Sequence, residues 1–135
     1  MLAVSTDDAL LDVARVHRWL SEDAYWARGC SRETVERSLR HSVNVGAYEG
    51  GELVGFLRLV TDRATFAWVC DVYVDPAARG LGVGKLLMAE ADRLLTTYGV
   101  RRAMLATADA HSLYSRHGFA PLAEVERWMS RGYAQ

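Results

Sequence analysis

Arg79-Gly80-Leu81-Gly82-Val83-Gly84-Lys85 sets three alternating glycines between two cationic residues. The run Val69 to Val74 before it predicts a strand, and Lys85 to Tyr98 after it predicts a helix. A helix N-terminus carries unpaired N–H groups and a partial positive charge, so it attracts phosphate. Glycine removes the Cβ that would hold a phosphate off the backbone. Arg79 and Lys85 add cationic charge at either end. This combination of residue types is a seat for a diphosphate.

Spacing decides which diphosphate. A magnesium-binding P-loop needs G-x-x-x-x-G-K-[S/T]. Gly80 to Gly84 is one residue short of that, and Leu86 stands where Ser or Thr is required. A dinucleotide fingerprint needs G-x-G-x-x-G; its third glycine would fall on Lys85 or Leu87, so both frames fail. Arg79-x-x-Gly82-x-Gly84 fits [Q/R]-x-x-G-x-[G/A], which resembles the coenzyme A diphosphate loop of the GNAT superfamily of N-acetyltransferases. The likeness runs from Asp71 to Met88 and returns at Ala110-His111-Ser112-Leu113-Tyr114-Ser115-Arg116-His117-Gly118-Phe119, which is similar to that superfamily's A-x-x-x-Y-x-x-x-G-F segment. Strings at Thr61 to Phe66, Ala108 to His111 and Glu126 to Met129 resemble those of small, stand-alone bacterial members.

The resemblance implies a fold, a donor and roles. It implies an α+β chain built on a central twisted, mostly antiparallel sheet with one splayed parallel strand pair, flanked by helices. It implies acetyl-CoA as donor, with the diphosphate on the amides of Gly80, Leu81, Gly82, Val83, Gly84 and Lys85. Val72, Tyr73 and Val74 would hydrogen-bond the pantetheine arm. Thr107 stands where many members have asparagine, and its hydroxyl can still meet the pantetheine amides. A primary amine would then attack the thioester directly. That amine must lose a proton, because its pKa near about 10.4 keeps it protonated at neutral pH. Strand N–H groups near Val72 can stabilise the developing negative oxygen. Tyr114 matches the tyrosine that often protonates the leaving thiolate, and a phenol with a pKa of about 10 holds its proton at neutral pH. From helix position alone, Tyr114 reads first as a half-buried ring packing a short helix; the Gly118-Phe119 context and the upstream loop reverse that reading.

The base is open. Asp71 can face the acceptor cleft and take a proton or bind a cationic amine, or it can cap a neighbouring amide. Strict alternation would put Val69, Asp71 and Tyr73 on one sheet face. Cys70 stands where some polyamine-acetylating members carry glutamate, which argues against a polyamine. His17 falls on the apolar face of the first helix and reads as a satisfied core histidine. His111 and His117 flank Tyr114 as surface residues. Tyr25, Trp26, Trp19 and Arg28 could line an acceptor pocket or cover the core edge. A non-catalytic acyl-CoA-binding module is the competing reading.

These groups need a scaffold. Asp8 to Leu20 predicts a helix from Leu10, Val13, Ala14 and Leu20, with Ser5 or Thr6 as cap, and Ser31 to His41 predicts a second. Val43 to Tyr48 and Leu53 to Val60 flank Glu49-Gly50-Gly51-Glu52, a hairpin signal. Thr65 to Val74 is the third strand of that meander. The helix from Lys85 ends at Gly99. Arg101 to Ala106 is the next strand, parallel to Thr65–Val74 across a right-handed crossover. A short helix spans Asp109 to His117 with Asp109 as cap, and Leu122 to Met129 supplies one or two short strands. About six strands are expected in all.

Size and composition fit one domain, residues 1–135. A chain of 135 residues buries one sizeable core. Half of the residues are hydrophobic and 24% are charged, the balance of a globular protein. Net charge of −1 gives no basic field for nucleic acid. No apolar run approaches the roughly 18 residues of a membrane span. The N-terminus lacks a basic region and a long apolar core, so no signal peptide is expected and the cytoplasm is the default. Cys30 and Cys70 make neither a disulfide framework nor a zinc site, and Cys70 reads as a small buried hydrophobe. The short stretch after Phe119 suggests a sheet completed by a second copy, a homodimer.

Overall fold

The computed structural model describes residues 1–134. Its centre is a five-stranded sheet in sequential order: β1 Leu2–Ser5, β2 Val43–Glu49, β3 Glu52–Thr61, β4 Phe66–Val74 and β5 Arg102–Met104. β1 to β4 are antiparallel neighbours; β5 alone is parallel to β4. The parallel pair falls where the sequence puts it. Among the described residues five strands form rather than about six. β1 is an addition, four residues whose period is too short to declare a strand without a partner. Leu122 to Met129 forms no strand and holds only a 3-10 turn at Val125–Arg127. The outer edge of β5 is therefore bare among the described residues.

Helices cover both faces. α3, Val83–Tyr98, buries Val83, Leu87, Met88, Ala91, Leu94 and Leu95 against Val45, Leu57, Leu59 and Val69. On the other face α1, Val13–Arg18, and α2, Arg32–Arg40, enclose a second core with Val16, Trp19, Leu39, Phe56 and Tyr73. Ser31 caps α2 through its side chain, as expected. The first helix does not run from Asp8 to Leu20. It breaks into a 3-10 turn at Asp8–Leu10, then α1, then a π turn at Trp19–Asp23. The break sits at Leu11, which is extended, because Asp12 accepts from the Arg15 amide at 3.1 Å and restarts the helix there.

Two local features position the site. A Cβ on Gly55 would lie 2.6 Å from Val83 Cγ1, so only glycine lets the start of α3 press this closely on β3. The second is a β-bulge. Phe56 pairs with Tyr73 and Arg58 with Cys70, so Asp71 and Val72 together oppose Leu57 alone. Asp71 takes φ +54° to make the kink. The bulge corrects the simple alternation. Val69 packs in the α3 core and Tyr73 in the opposite one, and Asp71 is the residue at which the strand changes phase.

Candidate functional site

β4 and β5 are in register only from Phe66↔Arg102 to Trp68↔Met104. Beyond that they part. The gap is a cavity of about 250 Å³ whose walls include Cys70, Asp71 and Val72 from β4, Thr107 from the segment after β5, and Tyr114 from α4, His111–Ser115. Tyr25 and Trp26 close it from the loop before α2.

The glycine loop lies at the start of α3. The helix begins at Val83, two residues earlier than the sequence period predicts, so Gly84 and Lys85 belong to its first turn. Gly82 is the N-cap at φ +83° and makes no side-chain cap. A Cβ at Gly80 or Gly82 would meet nothing within 4 Å, so the loop faces open space. Uncapped amides, an open glycine cradle and the exposed Lys85 fit an anionic group. Leu81, also exposed, sits at the loop's tip. Arg79 points elsewhere. Its Nε donates to the Val74 carbonyl at 3.0 Å, its Nη2 is 3.6 Å from Asp23, and its guanidinium lies 5.5 Å from the centre of the Tyr73 ring. Tyr73 donates its hydroxyl to Asp23, and burial together with that carboxylate pushes its phenol up to about 12.

Tyr114 packs edge-on against Phe119 at 6.3 Å and lines the gap. Burial raises its phenol above the ordinary value, with Tyr25 and Asp109 adding to the effect, so the hydroxyl keeps its proton at neutral pH. Thr107 has a different first role from the one expected. Its Oγ1 accepts from the Ala110 amide at 3.0 Å and the Asp109 amide at 3.4 Å, which leaves only its own O–H to donate. Thr107 thus holds the entry to α4; Asp109 does not cap it.

Asp71 joins two walls. Oδ2 accepts from Arg58 Nε at 2.9 Å and Oδ1 from Trp26 Nε1 at 2.8 Å. Arg58 is fixed in turn on Ser42 Oγ at 3.0 Å. Tyr25 stacks perpendicular to Trp26 at 5.0 Å, and its hydroxyl accepts from the Ala108 amide at 3.1 Å. The two aromatics thus bridge the gap, one tied to β4 and the other to the segment after β5. Trp19 does not belong to this group; it is buried, 5.1 Å from the Tyr73 ring. Arg28 is exposed and lines no part of the gap. His17 is satisfied by the Cys30 carbonyl at 3.0 Å. Cys70 is half-buried and sits on the cavity wall, with desolvation pushing its thiol up to about 11.

Arg58 and Trp68 are the site residues that motif reading misses. The signal for Arg58 is a single charge inside the apolar strand Leu53–Val60. Trp68 carries no signal beyond its alternation with Ala67 and Val69.

The family model described as acetyltransferase (GNAT) family matches residues 13–119. A Gibberella zeae protein assigned as an acetyltransferase is 31% identical over 84% of this chain and 76% of its own length. A solved GNAT-family structure from Xanthomonas campestris pv. campestris is 41% identical, covers 98% of this chain and 94% of its own, and superposes with a TM-score of 0.94. An aminoglycoside 6'-N-acetyltransferase complexed with coenzyme A shares the fold at 21% identity and a TM-score of 0.67, over 78% of this chain and 61% of that one. With the sheet, the gap and the glycine loop in place, this chain belongs to the acetyltransferase (GNAT) family, whose members draw their acetyl group from acetyl-CoA.

Proposed function

We propose that this protein is an acetyl-CoA-dependent N-acetyltransferase that acetylates a primary amine by direct attack in a ternary complex. The observation that carries the reading is the gap between β4 and β5, with the Tyr114 ring on its wall and the uncapped start of α3 nearby: a Cβ on Gly84 would lie 3.9 Å from Leu113 on α4 and from Val74 on β4. Bound acetyl-CoA supplies an activated acyl carbon. The amides of Gly80 to Lys85 hold its diphosphate, and Val72, Tyr73 and Val74 offer a strand edge that β5 leaves free. Thr107 has one donor left for the same arm. Arg79 supports the loop by tying it to Val74.

Tyr114 gives its phenolic proton to the departing sulfur as the C–S bond breaks and the new N–C bond forms. Asp71 faces the acceptor with Tyr25 and Trp26. Its two oxygens already hold Arg58 and Trp26, so its first contribution is to fix the acceptor wall. A remaining lone pair can take the amine's proton directly or through water. The Val72 amide steadies the carbonyl oxygen.

No helix among the described residues is long and apolar enough to cross a membrane. Two free cysteines suit a reducing compartment and support a cytoplasmic location. The bare β5 edge supports a homodimer. A screen of primary amines with acetyl-CoA, reading free thiol, tests the activity. Amine-dependent thiol release is expected. Coenzyme A binding without release for any amine would favour an acyl-CoA-binding module instead.

A further inference from the structure

Ala67 and Val69 are buried under α3, so alternation turns Phe66, Trp68 and Cys70 to the opposite face of β4. That face is covered by α1 and α2 only at its Phe56–Tyr73 end. At the other end Val60 is 41% exposed, Phe66 37% and Trp68 36%, and Val60 pairs directly with Trp68. Trp68 also lines the gap beside Trp26 and Cys70. An apolar strip therefore starts at the reacting cleft and runs along β4 to Phe66, roughly 13 Å at about 3.3 Å per residue.

The charges around this strip are of both signs and lie at its ends. The Asp71 carboxylate is matched by Arg58. Asp62, in the turn beyond Val60, accepts from the Ala64, Thr65 and Phe66 amides and the Thr65 hydroxyl, which hold its carboxyl well below the ordinary range and keep it charged. At the far end stand Arg63 in the same turn and Arg102, in register with Phe66 with its guanidinium 4.9 Å from the Trp128 ring centre. Asp109 is the remaining carboxylate of the gap, on the opposite wall from the strip. A substrate lying along the strip meets apolar surface, over which a second ammonium group would lose its water without a partner.

We propose that the strip Trp68–Phe66–Val60 is the acceptor subsite and that it selects a monoamine whose amine is borne on an extended apolar alkyl or aralkyl body. This rests on the acetyltransferase reading and names the acceptor class for the same cleft. The amine enters between Trp26 and Asp71, and the apolar body lies over Trp68 toward Phe66. Burial of each methylene should lower KM by roughly two- to fourfold.

Octylamine and 1,8-diaminooctane have the same length and differ only in the terminal ammonium. Binding of each to the protein–coenzyme A complex is measured by calorimetry, alongside KM with acetyl-CoA for butylamine and octylamine. Octylamine is expected to bind at least tenfold tighter than the diamine, with a KM at least tenfold below that of butylamine. Phe66→Ser, at the far end of the strip, should erase most of octylamine's advantage over butylamine and leave the coenzyme A melting shift unchanged; Val60→Ser, beside Trp68, should weaken octylamine binding as well. Equal or tighter binding of the diamine, or octylamine binding that both variants leave intact, overturns the proposal even if amines are acetylated. A change from dimer to monomer in Phe66→Ser with unaltered amine preference also overturns it, because the strip is then a contact between copies. Selective octylamine binding without thiol release upholds the strip and refutes the transferase reading, so the two failures are distinguishable.

Discussion

Tyr114→Phe is expected to lower kcat by roughly 10² to 10⁴, the range for loss of a positioned acid. The change removes only the hydroxyl. The ring still packs on Phe119, and the proposed diphosphate seat is backbone at the start of another helix. Coenzyme A affinity should hold. The loss should appear equally in kcat and kcat/KM, because the proton moves only near the transition state. A pH profile gives a second readout. Burial raises the Tyr114 phenol, so the protonated acid survives beyond the phenol's ordinary pKa and activity falls only above it. That alkaline limb should be missing from the variant. Single-turnover rates identical to the unmodified protein would remove Tyr114 from the chemistry.

The second large effect is at Gly82. Free coenzyme A at a hundredfold excess over its dissociation constant should stabilise the protein by about 2.7 kcal/mol. For a domain of this size that raises Tm by roughly 10 °C. Gly82→Asp should abolish the shift, because it sets a carboxylate in the phosphate seat. Gly82 also has φ +83°, so any side chain there is strained. Gly82→Asn separates the two causes: it is isosteric with Asp and meets the same φ without the charge, so it should keep a reduced shift. Gly84→Ala should keep the full shift, since its Cβ would meet only Leu113 and Val74 at 3.9 Å. A full shift in Gly82→Asp would move the diphosphate away from this loop.

Parts of this design are readable from local pattern, and parts need the assembled sheet. The α3 face, the hairpin at Gly50-Gly51 and the parallel strand pair follow from period and turn residues, which act over a few neighbours. The glycine loop is legible for the same reason, since its chemistry is backbone chemistry. The bulge at Asp71 is not, because an extra residue in β4 exists only relative to Leu57 on β3. With it went the phase of Val69 and Tyr73 and the Arg58–Asp71–Trp26 chain, whose members are distant in sequence. Arg79 illustrates a related limit. Its charge beside the loop is visible in the sequence, but Asp23 and the Tyr73 ring, brought in by the π turn and β4, direct it away. That Thr107, and not Asp109, fixes the turn into α4 rests on two hydrogen bonds at the exit of β5.

The central claim is that one gap, opened where β4 and β5 part, receives the thioester between the α3 loop and Tyr114. A crystal structure of the complex with coenzyme A tests it most directly. The diphosphate is expected within hydrogen-bond distance of the Gly82 to Lys85 amides, the pantetheine along Val72 to Val74, and the sulfur facing the Tyr114 hydroxyl. Coenzyme A lying in the groove along the outer edge of β5, with the gap between β4 and β5 empty, would contradict it.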